Sequence, residues 1–430
     1  MAKILFFILI CILIPHNIYF AEINKEEFIN ARDAFIKSDG DRIINDIVVK
    51  GNRKTKKSEI INKINVKAGK YLSEFDPEHS VQELRRLKLY SKIKIEYIPL
   101  EEKLVNITII VDEKISLIPL PFMRFTGDSK TYGFMLMDLN FFGYQKNLWV
   151  GGFWETEGFN YLLGYMDPSV MGSNYFLNII TSTGNKEFEN ADREGDIYRI
   201  YRAKSSFSSL SLGYKLSDNW KFAILNRYYN LRVDNDYNES INPPQSGRFY
   251  KPGANVEFDN LYFSRLFNYG MKARIEYERG IVLNEGAGDF DHVNTFVEYN
   301  LEACKEDRFI FNISGGTGND PAILFKQIAG SPGFRTLPYG KVFTNKYLAG
   351  SINYEIPLHK GRFLTSTAIG FYEGGGMRND NTGEVDYFYG PGGGFRLYLK
   401  KIAFPAVGFN AAYNIITKNS EFSLSIGFSR

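Results

Sequence analysis

The sequence predicts a mainly β protein, in which an antiparallel transmembrane β-barrel of about 16 strands follows one small α+β domain. The first observation is composition: the 430 residues include 36 Phe, 28 Tyr, 3 Trp and 39 Gly, which favours strands joined by tight turns. The second is the alternation of apolar and polar residues in short segments from residue 120 onward. The third is that no later segment has the roughly 18 consecutive apolar residues of a membrane-spanning helix. A hydrophobic content of 44% excludes a disordered chain, and a net charge of +3 does not indicate a nucleic-acid partner.

The N-terminal residues 1–21 have the pattern of a secretory signal peptide. Lys3 precedes an apolar run from Ile4 to Ile14, Pro15 ends the run, and Ala21 offers a small residue for cleavage. The run is too short for a membrane anchor, which needs about 20 apolar residues. Residues 22–41 are polar and are interpreted as a linker. Loss of the signal peptide would remove one of the two cysteines, so no intrachain disulfide is expected.

Residues 42–114 predict a domain with the order β-α-α-β-β. An apolar strand ends at Gly51, Thr55 is predicted to cap a first helix, and the pair Asp76-Pro77 is typical of the start of a second helix. Two alternating strands close the unit, and the second runs from Val105 to Val111. This segment resembles a POTRA domain over its whole length, from IINDIVVKGNRKTKKSEI to VNITIIVDE.

The predicted sheet of this domain has edges that can accept a further strand. We expect the strand from Val105 to Val111 to end the sheet and to receive strands of client polypeptides by β-augmentation. The basic run Arg53, Lys54, Lys56 and Lys57 is interpreted either as a solvated face or as a contact with anionic headgroups or an acidic partner.

Residues 120–430 predict the barrel. Ile275 and Tyr277 alternate with Arg274, Glu276 and Glu278, and a charge at every second position cannot lie in a dry core. A barrel with outer-membrane lipid outside and a wet lumen inside accommodates this pattern, whereas a large soluble β protein with solvated faces is the alternative. Strand candidates begin near residues 131, 147, 159, 174, 204, 220, 252, 270, 292, 308, 322, 346, 362, 388, 404 and 421.

Three motifs indicate a family. The first, with Asp138, Asn140 and Gly143, lies at the expected first hairpin beside the first strand. The second, Tyr165-Met-Asp167-Pro168, lies at the third expected strand. The third, from Gly330 to Pro338, contains Gly333, Phe334 and Arg335, and it is followed by Glu355-x-Pro357 and then Phe371-Tyr-Glu373-Gly374. Together with the POTRA-like domain, they resemble the BamA/TamA superfamily, also called the bacterial surface antigen family. The Arg-Gly-aromatic tripeptide of that family is matched here by Arg335, with Thr336 and Leu337 at the other two positions.

The resemblance implies a location and a function. The POTRA domain would hang in the periplasm from a barrel in the bacterial outer membrane. The protein would assist the folding and insertion of other barrel proteins, which would bind as unfolded clients through the POTRA domain. Accessory periplasmic or lipoprotein partners are consistent with this function. The alternatives are a two-partner-type polypeptide secretion channel and a passive porin or adhesin on the same scaffold.

Two sites are expected in the barrel. In the resembled family the loop after the eleventh strand folds into the lumen, so Arg335 is predicted to pair with Glu373 as a latch, with Glu355 as the other acid available. The second site is the seam between the first and last strands, which would open sideways to template an incoming strand. The last strand places one row of apolar residues on its outer face: Phe422, Leu424, Ile426 and Phe428.

No enzyme chemistry is predicted. The sequence has no Gly-x-Ser-x-Gly motif and no phosphate-binding glycine loop, and its four His residues do not form a metal-binding spacing. We therefore expect no catalytic residues, no metal, no cofactor and no nucleic-acid partner.

Overall fold

The computed structural model describes residues 41–64, 66–100, 103–126, 129–155, 158–238, 244–264, 266–284, 288–304, 306–361, 363–401 and 406–427. The predicted signal peptide and all but the last residue of the predicted linker lie outside these ranges, as does Phe428. Among the residues described, no helix is both long and apolar enough to cross a membrane.

The N-terminal domain is a three-stranded sheet with two helices. Its elements are β1 (Ile43–Lys50), α1 (Lys57–Ile64), α2 (Pro77–Arg86), β2 (Tyr90–Pro99) and β3 (Leu104–Glu113). The order in the sheet is β1-β3-β2, in which β3 runs parallel to β1 and antiparallel to β2. The predicted β-α-α-β-β order is confirmed.

Local signals explain the second helix of this domain. The Asp76 side chain accepts a hydrogen bond from the His79 amide at 3.0 Å, and Pro77 occupies the first helical turn, as the sequence predicts. The helix packs Val81 and Leu84 inward, and Leu84 joins an apolar cluster with Ile107 and Ile109 of β3.

The prediction that the strand from Val105 to Val111 ends the sheet is wrong. β3 is the central strand because it pairs with β1 on one side and with β2 on the other. The edges are β1 and β2. Part of β1 is covered, since Ile44 exchanges backbone hydrogen bonds with Gly69 and Lys70, so β2 is the more open edge.

The second region is a closed antiparallel barrel. Its sheet elements and the small strands in its loops are β4 (Leu117–Thr126), β5 (Ser129–Phe141), β6 (Lys146–Glu155), β7 (Gly158–Asp167), β8 (Tyr175–Ala191), β9 (Ile197–Lys215), β10 (Trp220–Asn238), β11 (Gly247–Asp259), β12 (Tyr262–Ser264), β13 (Phe267–Val282), β14 (Phe290–Glu302), β15 (Arg308–Gly318), β16 (Lys326–Gln327), β17 (Phe343–Thr344), β18 (Tyr347–Lys360), β19 (Leu364–Arg378), β20 (Val385–Leu399), β21 (Ala406–Tyr413) and β22 (Ser420–Gly427). β11 and β12 both pair with β13, so they form one interrupted strand, and the described barrel therefore has 16 strands. β16 and β17 pair with each other and are not part of the barrel.

The strand number agrees with the prediction, but two assignments differ. The first barrel strand is β4, which begins at Leu117 and precedes the expected first strand near residue 131. The strand expected near residue 322 does not belong to the barrel: Ala322–Leu324 is a short 3₁₀ turn inside the loop between β15 and β18. The two differences cancel, so this loop still follows the eleventh strand.

The barrel wall separates apolar from charged side chains. Ile275 and Tyr277 on β13 are 41% and 47% exposed on the outer surface, whereas Glu276 and Glu278, which alternate with them, are buried in the lumen. Arg227 of β10 reaches both lumenal carboxylates, at 2.9 and 2.7 Å. The predicted distribution, with lipid-facing apolar residues outside and paired charges inside, is therefore present.

Candidate functional site

The loop between β15 and β18, residues 319–346, folds into the lumen. Phe334 and Leu337 are fully buried there, in a cluster with Ile328, Val342, Tyr347, Met377 and Phe388. The Phe334 ring packs edge-on against Tyr347 and at a tilt against Phe388, with centroid distances of 5.5 and 5.7 Å. Apolar burial thus holds the loop against β18, β19 and β20.

Arg335 lies at the centre of this loop and is 3% exposed. Its Nε donates to Glu373 Oε2 at 2.8 Å, and its Nη2 donates to Asn353 Oδ1 at 2.6 Å. The guanidinium carbon lies 3.4 Å from the centroid of the Phe371 ring. The structure therefore brings together Arg335 and Glu373, the two residues predicted to pair, and adds Asn353 and Phe371 to their contacts.

The carboxylate of Glu373 also binds the loop backbone. Its Oε2 accepts from the Gly333 amide at 3.1 Å, and its Oε1 accepts from the Thr336 amide at 2.8 Å. Gly333 has φ 95°, a conformation that favours glycine, and this turn aims both amides at the carboxylate. The Glu373 carboxylate on the barrel wall thus binds three loop groups: the Gly333 amide, the Arg335 guanidinium and the Thr336 amide.

The two departures from the family tripeptide have structural consequences. Leu337 takes the place of the aromatic residue and is buried, while Phe334, directly before Arg335, supplies an aromatic ring to the same cluster. Thr336 takes the place of glycine and is 1% exposed, and within the described part of the chain its Oγ1 has no hydrogen-bond partner. A buried hydroxyl without a partner costs free energy.

We expect Thr336→Val to keep or raise stability. Valine has nearly the same shape, and the backbone amide that binds Glu373 is retained, so only the unpartnered hydroxyl is lost. The free energy of unfolding should rise by about 0–2 kcal/mol, measured by urea unfolding in detergent. A loss of more than about 1 kcal/mol would show that the hydroxyl makes a stabilising contact.

Glu355 pairs with residues other than Arg335. Its Oε2 accepts from Arg308, at 2.8 and 3.1 Å, and from Arg396 at 3.1 Å, and its Oε1 accepts from Thr367 and Tyr398. The interpretation of Glu355 as the other acid for Arg335 is therefore not supported by the geometry, because both of its oxygens are occupied. This fully bonded carboxylate connects β18 to β15, β19 and β20.

Glu355→Gln should destabilise the barrel strongly. The amide cannot neutralise Arg308, which is buried, or Arg396, which is half-buried, and breaking a buried ion pair costs about 3–5 kcal/mol. The measurement is the loss of heat-modifiable mobility of the folded barrel on SDS gels. Asp289→Asn is the matched control, because its pair with Arg279 is solvent-exposed and should contribute at most about 1 kcal/mol. Equal behaviour of the two variants would contradict the expectation.

The motif with Asp138, Asn140 and Gly143 lies at the periplasmic turn between β5 and β6. This is the second hairpin and not the expected first one, because β4 precedes β5, but the motif does lie beside the first strand, since Asp138 is paired with Leu117 of β4. Its side chains contact the loop before α1: Lys54 Nζ binds both Asp138 oxygens at 2.6 and 2.8 Å, and Asn140 Nδ2 donates to Thr55 Oγ1 at 2.8 Å. The motif thus docks the N-terminal domain on the barrel.

Backbone contacts complete this docking turn. Gly143, at φ 79°, accepts from the Lys56 amide at 2.9 Å, and Gln145 Nε2 donates to Glu59 O at 3.2 Å. On the other side, the Glu113 carboxylate accepts from the amides of Arg53, Lys54 and Thr55, at 2.8 to 3.1 Å. Thr55 is therefore a docking residue and not a helix cap, since α1 begins at Lys57.

Sequence reasoning missed most of these partners. Of the basic run, the Lys54 side chain forms the ion pair with the motif, whereas the side chains of Arg53, Lys56 and Lys57 are exposed and Lys56 contributes its backbone amide. The acid in the motif and the basic run are both visible in the sequence, but they are 84 positions apart. Only the tertiary structure places Lys54 against Asp138. Asn353, 18 positions from Arg335, carried no signal at all.

The N-terminal domain lies across the periplasmic mouth of the barrel. Besides the turn at Gly143, it meets the turn after β9, where His79 Nε2 is 3.9 Å from Asp218 Oδ2 and Arg86 Nη1 donates to Asp218 O at 3.5 Å. Lys88, just after α2, lies near Lys272 and Glu298 of the lumen wall. The N-terminal domain therefore covers the periplasmic end of the lumen, and the loop of residues 319–346 lies inside it.

The last strand, β22, carries the predicted outer row only in part within the described side chains. Phe422 is 61% exposed and stacks on Phe409 of β21 at 6.2 Å, while the side chains of Leu424 and Ile426 and the whole of Phe428 lie outside the described residues. On the inner face, Glu421 accepts from the Tyr339 amide at 3.2 Å. The lumenal loop thus also contacts the last strand.

Comparisons with known proteins agree with this architecture. Residues 43–114 match the POTRA family, described as the surface antigen variable number repeat. CdiB from Escherichia coli is 12% identical, with a TM-score of 0.59 over 90% of this chain and 75% of that chain. CdiB from Acinetobacter baumannii is 15% identical, with a TM-score of 0.54 over 89% and 73%. BamA from Haemophilus ducreyi lacking POTRA domains 1–3 is 14% identical, with a TM-score of 0.52 over 89% and 84%.

No curated protein matches the chain. At this level of identity, the solved structures establish the fold, and the resemblance expected from the sequence is confirmed at that level. The chain carries one POTRA domain followed by a β-barrel with the fold of the solved structures of BamA and CdiB.

Proposed function

We propose that this protein assists the folding and insertion of β-barrel proteins in the bacterial outer membrane. The observation that carries the proposal is the closure of the lumen at both ends, by the loop around Arg335 above and the POTRA domain below. The seam lies between β22 and β4, which are neighbours in the closed barrel. A client that enters the membrane through a sideways opening of this seam does not require the lumenal loop to leave the barrel, whereas passage along the lumen does.

The POTRA domain would present clients to this seam. Leu100 N donates to Leu104 O at 2.9 Å, so the register of β2 and β3 turns the amides of Ile93 and Ile95 away from β3, toward the open edge. An extended client segment can add there as a fourth strand. The filled lumen argues against a passive porin.

Secretion of a polypeptide through the lumen is the second candidate function. The position of the POTRA domain directly across the periplasmic mouth favours it, because a bound polypeptide would be delivered to the lumen entrance. This route requires the loop with Arg335 to leave the lumen, whereas the seam route does not.

Depletion of the protein in its host distinguishes these functions. We expect the amounts of several outer-membrane barrel proteins to fall together, as measured by quantitative proteomics of outer-membrane fractions. Full-length protein should restore them, and protein in which an unrelated domain of equal size replaces residues 42–114 should not. Loss of one exported protein from the medium with an unchanged membrane would favour secretion. An unchanged membrane with altered solute leakage would contradict both functions.

The location can be tested with single cysteines in a Cys304→Ser background. Thr382→Cys, in the loop between β19 and β20, should react with a membrane-impermeant maleimide in intact cells. Lys57→Cys, exposed at the start of α1, should react only after the outer membrane is permeabilised. Labelling of Lys57→Cys in intact cells would contradict a periplasmic POTRA domain.

A further inference from the structure

The outer face of β9 and β10 changes from apolar to basic along the strands. On β9 the outward residues are apolar from Tyr214 to Leu210 and polar from Ser208 to Lys204. On β10 the same face begins at Phe222 and reaches Arg232. The apolar ends adjoin the turn of residues 216–219, which contacts the N-terminal domain. The basic ends therefore lie on the extracellular side.

The length of the strand places Lys204 at the outer edge of the membrane. Near the periplasmic end of β9, the Tyr214 ring packs on Tyr175 of β8 at 5.0 Å, as aromatic residues do at the interface of a barrel. Lys204 lies ten residues further along β9. At about 3.3 Å per residue and a tilt of about 40°, this step rises by roughly 25 Å along the membrane normal. Since the apolar band of such barrels is about 25 Å tall, Lys204 reaches the headgroups of the outer leaflet.

Two further cations lie at a similar level on the next two strands. Arg232 is ten residues from Phe222 on β10, and Arg248 is ten residues from Phe258 on β11. Arg232 lies directly opposite Lys204 in the sheet, and Arg248 is paired with the residue two positions before Arg232. All three side chains are exposed. Together they form a basic patch across three strands: Lys204, Arg232 and Arg248.

The basic patch has no counter-charge among the described residues. Within that part of the chain, none of its three cationic groups forms an ion pair or a hydrogen bond. Like charges directly opposite each other destabilise a sheet. Outward cations elsewhere on the wall have acids: Arg202 is 3.0 Å from Glu187, and Arg279 is 3.2 Å from Asp289. An anion from outside the chain would therefore relieve the repulsion within the patch.

We propose that the basic patch binds the phosphate groups of an anionic lipid in the outer leaflet of the outer membrane. One ammonium group and two planar guanidinium groups suit phosphate oxygens. The acyl chains lie on the apolar wall below the patch, at Leu210 and Ile224. Tyr228 and Tyr250, paired across β10 and β11, supply aromatic rings between these apolar residues and the cations. The Tyr250 hydroxyl donates to Asn226 Oδ1 at 2.6 Å, which fixes the position of its ring.

The basic patch lies on the wall opposite the seam. Counted from β4, its strands β9, β10 and β11 are the sixth, seventh and eighth of the 16 barrel strands, whereas β4 and β22 are the first and the last. A lipid bound here holds this wall at a fixed height in the membrane and leaves the seam accessible. Lipid binding at the patch therefore does not depend on the assembly function.

Equilibrium binding of a fluorescent lipid to the purified full-length protein in neutral detergent tests the patch. The probe is diphosphoryl lipid A, and phosphatidylcholine with the same dye is the zwitterionic reference. In the patch variant all three cations are replaced by Gln. The control variant has the same charge change at exposed lysines that form no ion pair among the described residues: Lys67→Gln, Lys92→Gln and Lys418→Gln. The dissociation constant for lipid A should rise about a hundredfold in the patch variant and less than about twofold in the control, because each basic residue near an anionic membrane surface contributes about fivefold.

Single substitutions keep the test independent of the folding of the triple variant. Lys204→Gln, Arg232→Gln and Arg248→Gln should each weaken lipid A binding about fivefold, and heat-modifiable mobility on SDS gels reports whether each barrel is folded. Equal affinity of the patch and control variants for lipid A, or equal affinity of the unmodified protein for lipid A and phosphatidylcholine, would overturn the proposal. Inorganic phosphate in large excess should leave lipid A bound. Displacement of the lipid by inorganic phosphate would also overturn the proposal, since the patch would then be a site for free phosphate.

Discussion

Arg335→Glu is expected to release the lumenal loop. The new carboxylate would lie beside Glu373 and Asn353, with both acids in a buried site, so the change removes a charge pair and adds a repulsion. Breaking a buried pair costs about 3–5 kcal/mol. The loop should then be cut by trypsin at Lys326 or Lys341 in the folded barrel, and client assembly should fall.

The reciprocal change should restore part of this loss. Adding Glu373→Arg recreates an opposite pair, but the amides of Gly333 and Thr336 would then face a cation and lose their acceptor. Recovery is therefore expected to be incomplete. Arg279→Glu is the matched control, since its partner Asp289 lies at an exposed site where a pair contributes at most about 1 kcal/mol. If the loop of Arg335→Glu resists trypsin as well as the loop of this control does, the Arg335–Glu373 pair does not hold the loop in the lumen.

Gly143→Val should undock the POTRA domain from the barrel. A Cβ at this position would lie 2.1 Å from the Lys54 carbonyl oxygen, and φ 79° is strained for valine. The turn must move, and the contacts of Asp138 with Lys54 and of Asn140 with Thr55 would be lost with it. Amide hydrogen exchange over residues 53–59 should accelerate about tenfold or more, because strain of this kind costs roughly 1–3 kcal/mol.

Gly370→Val serves as its control. Gly370 lies on β19, faces outward, and has nothing within 4 Å of the place a Cβ would take. It should leave exchange in residues 53–59 unchanged and the barrel folded. Slow exchange in Gly143→Val, equal to that of Gly370→Val, would show that the docking turn tolerates a side chain and that the contact is not tight.

The first barrel strand, β4, was not predicted from the sequence, and its two prolines explain why. β4 contains Pro119 and Pro121, and prolines argue against a strand when each amide is assumed to need a partner. They are allowed here because their positions face the seam, which depends on the register with β5. The opposite error occurred at Ala322–Leu324, where a short apolar run was interpreted as a strand although it lies in the loop. Short apolar runs do not distinguish a strand from a turn packed on a core.

Alternation alone determined the class of this protein: charged residues at every second position of long, aromatic-rich strands require a wet lumen, and that requirement is local to each strand. The order of a POTRA-like domain before the barrel, and the acid that Arg335 would meet, could also be inferred from the sequence and its resemblance. The contacts of Lys54 with Asp138 and of Arg335 with Asn353, the occupation of Glu355 by two arginines and the direction of the prolines in β4 were decided only by the tertiary structure. Each depends on which strands become neighbours and in what register, and long-range pairing leaves no periodic trace in the chain.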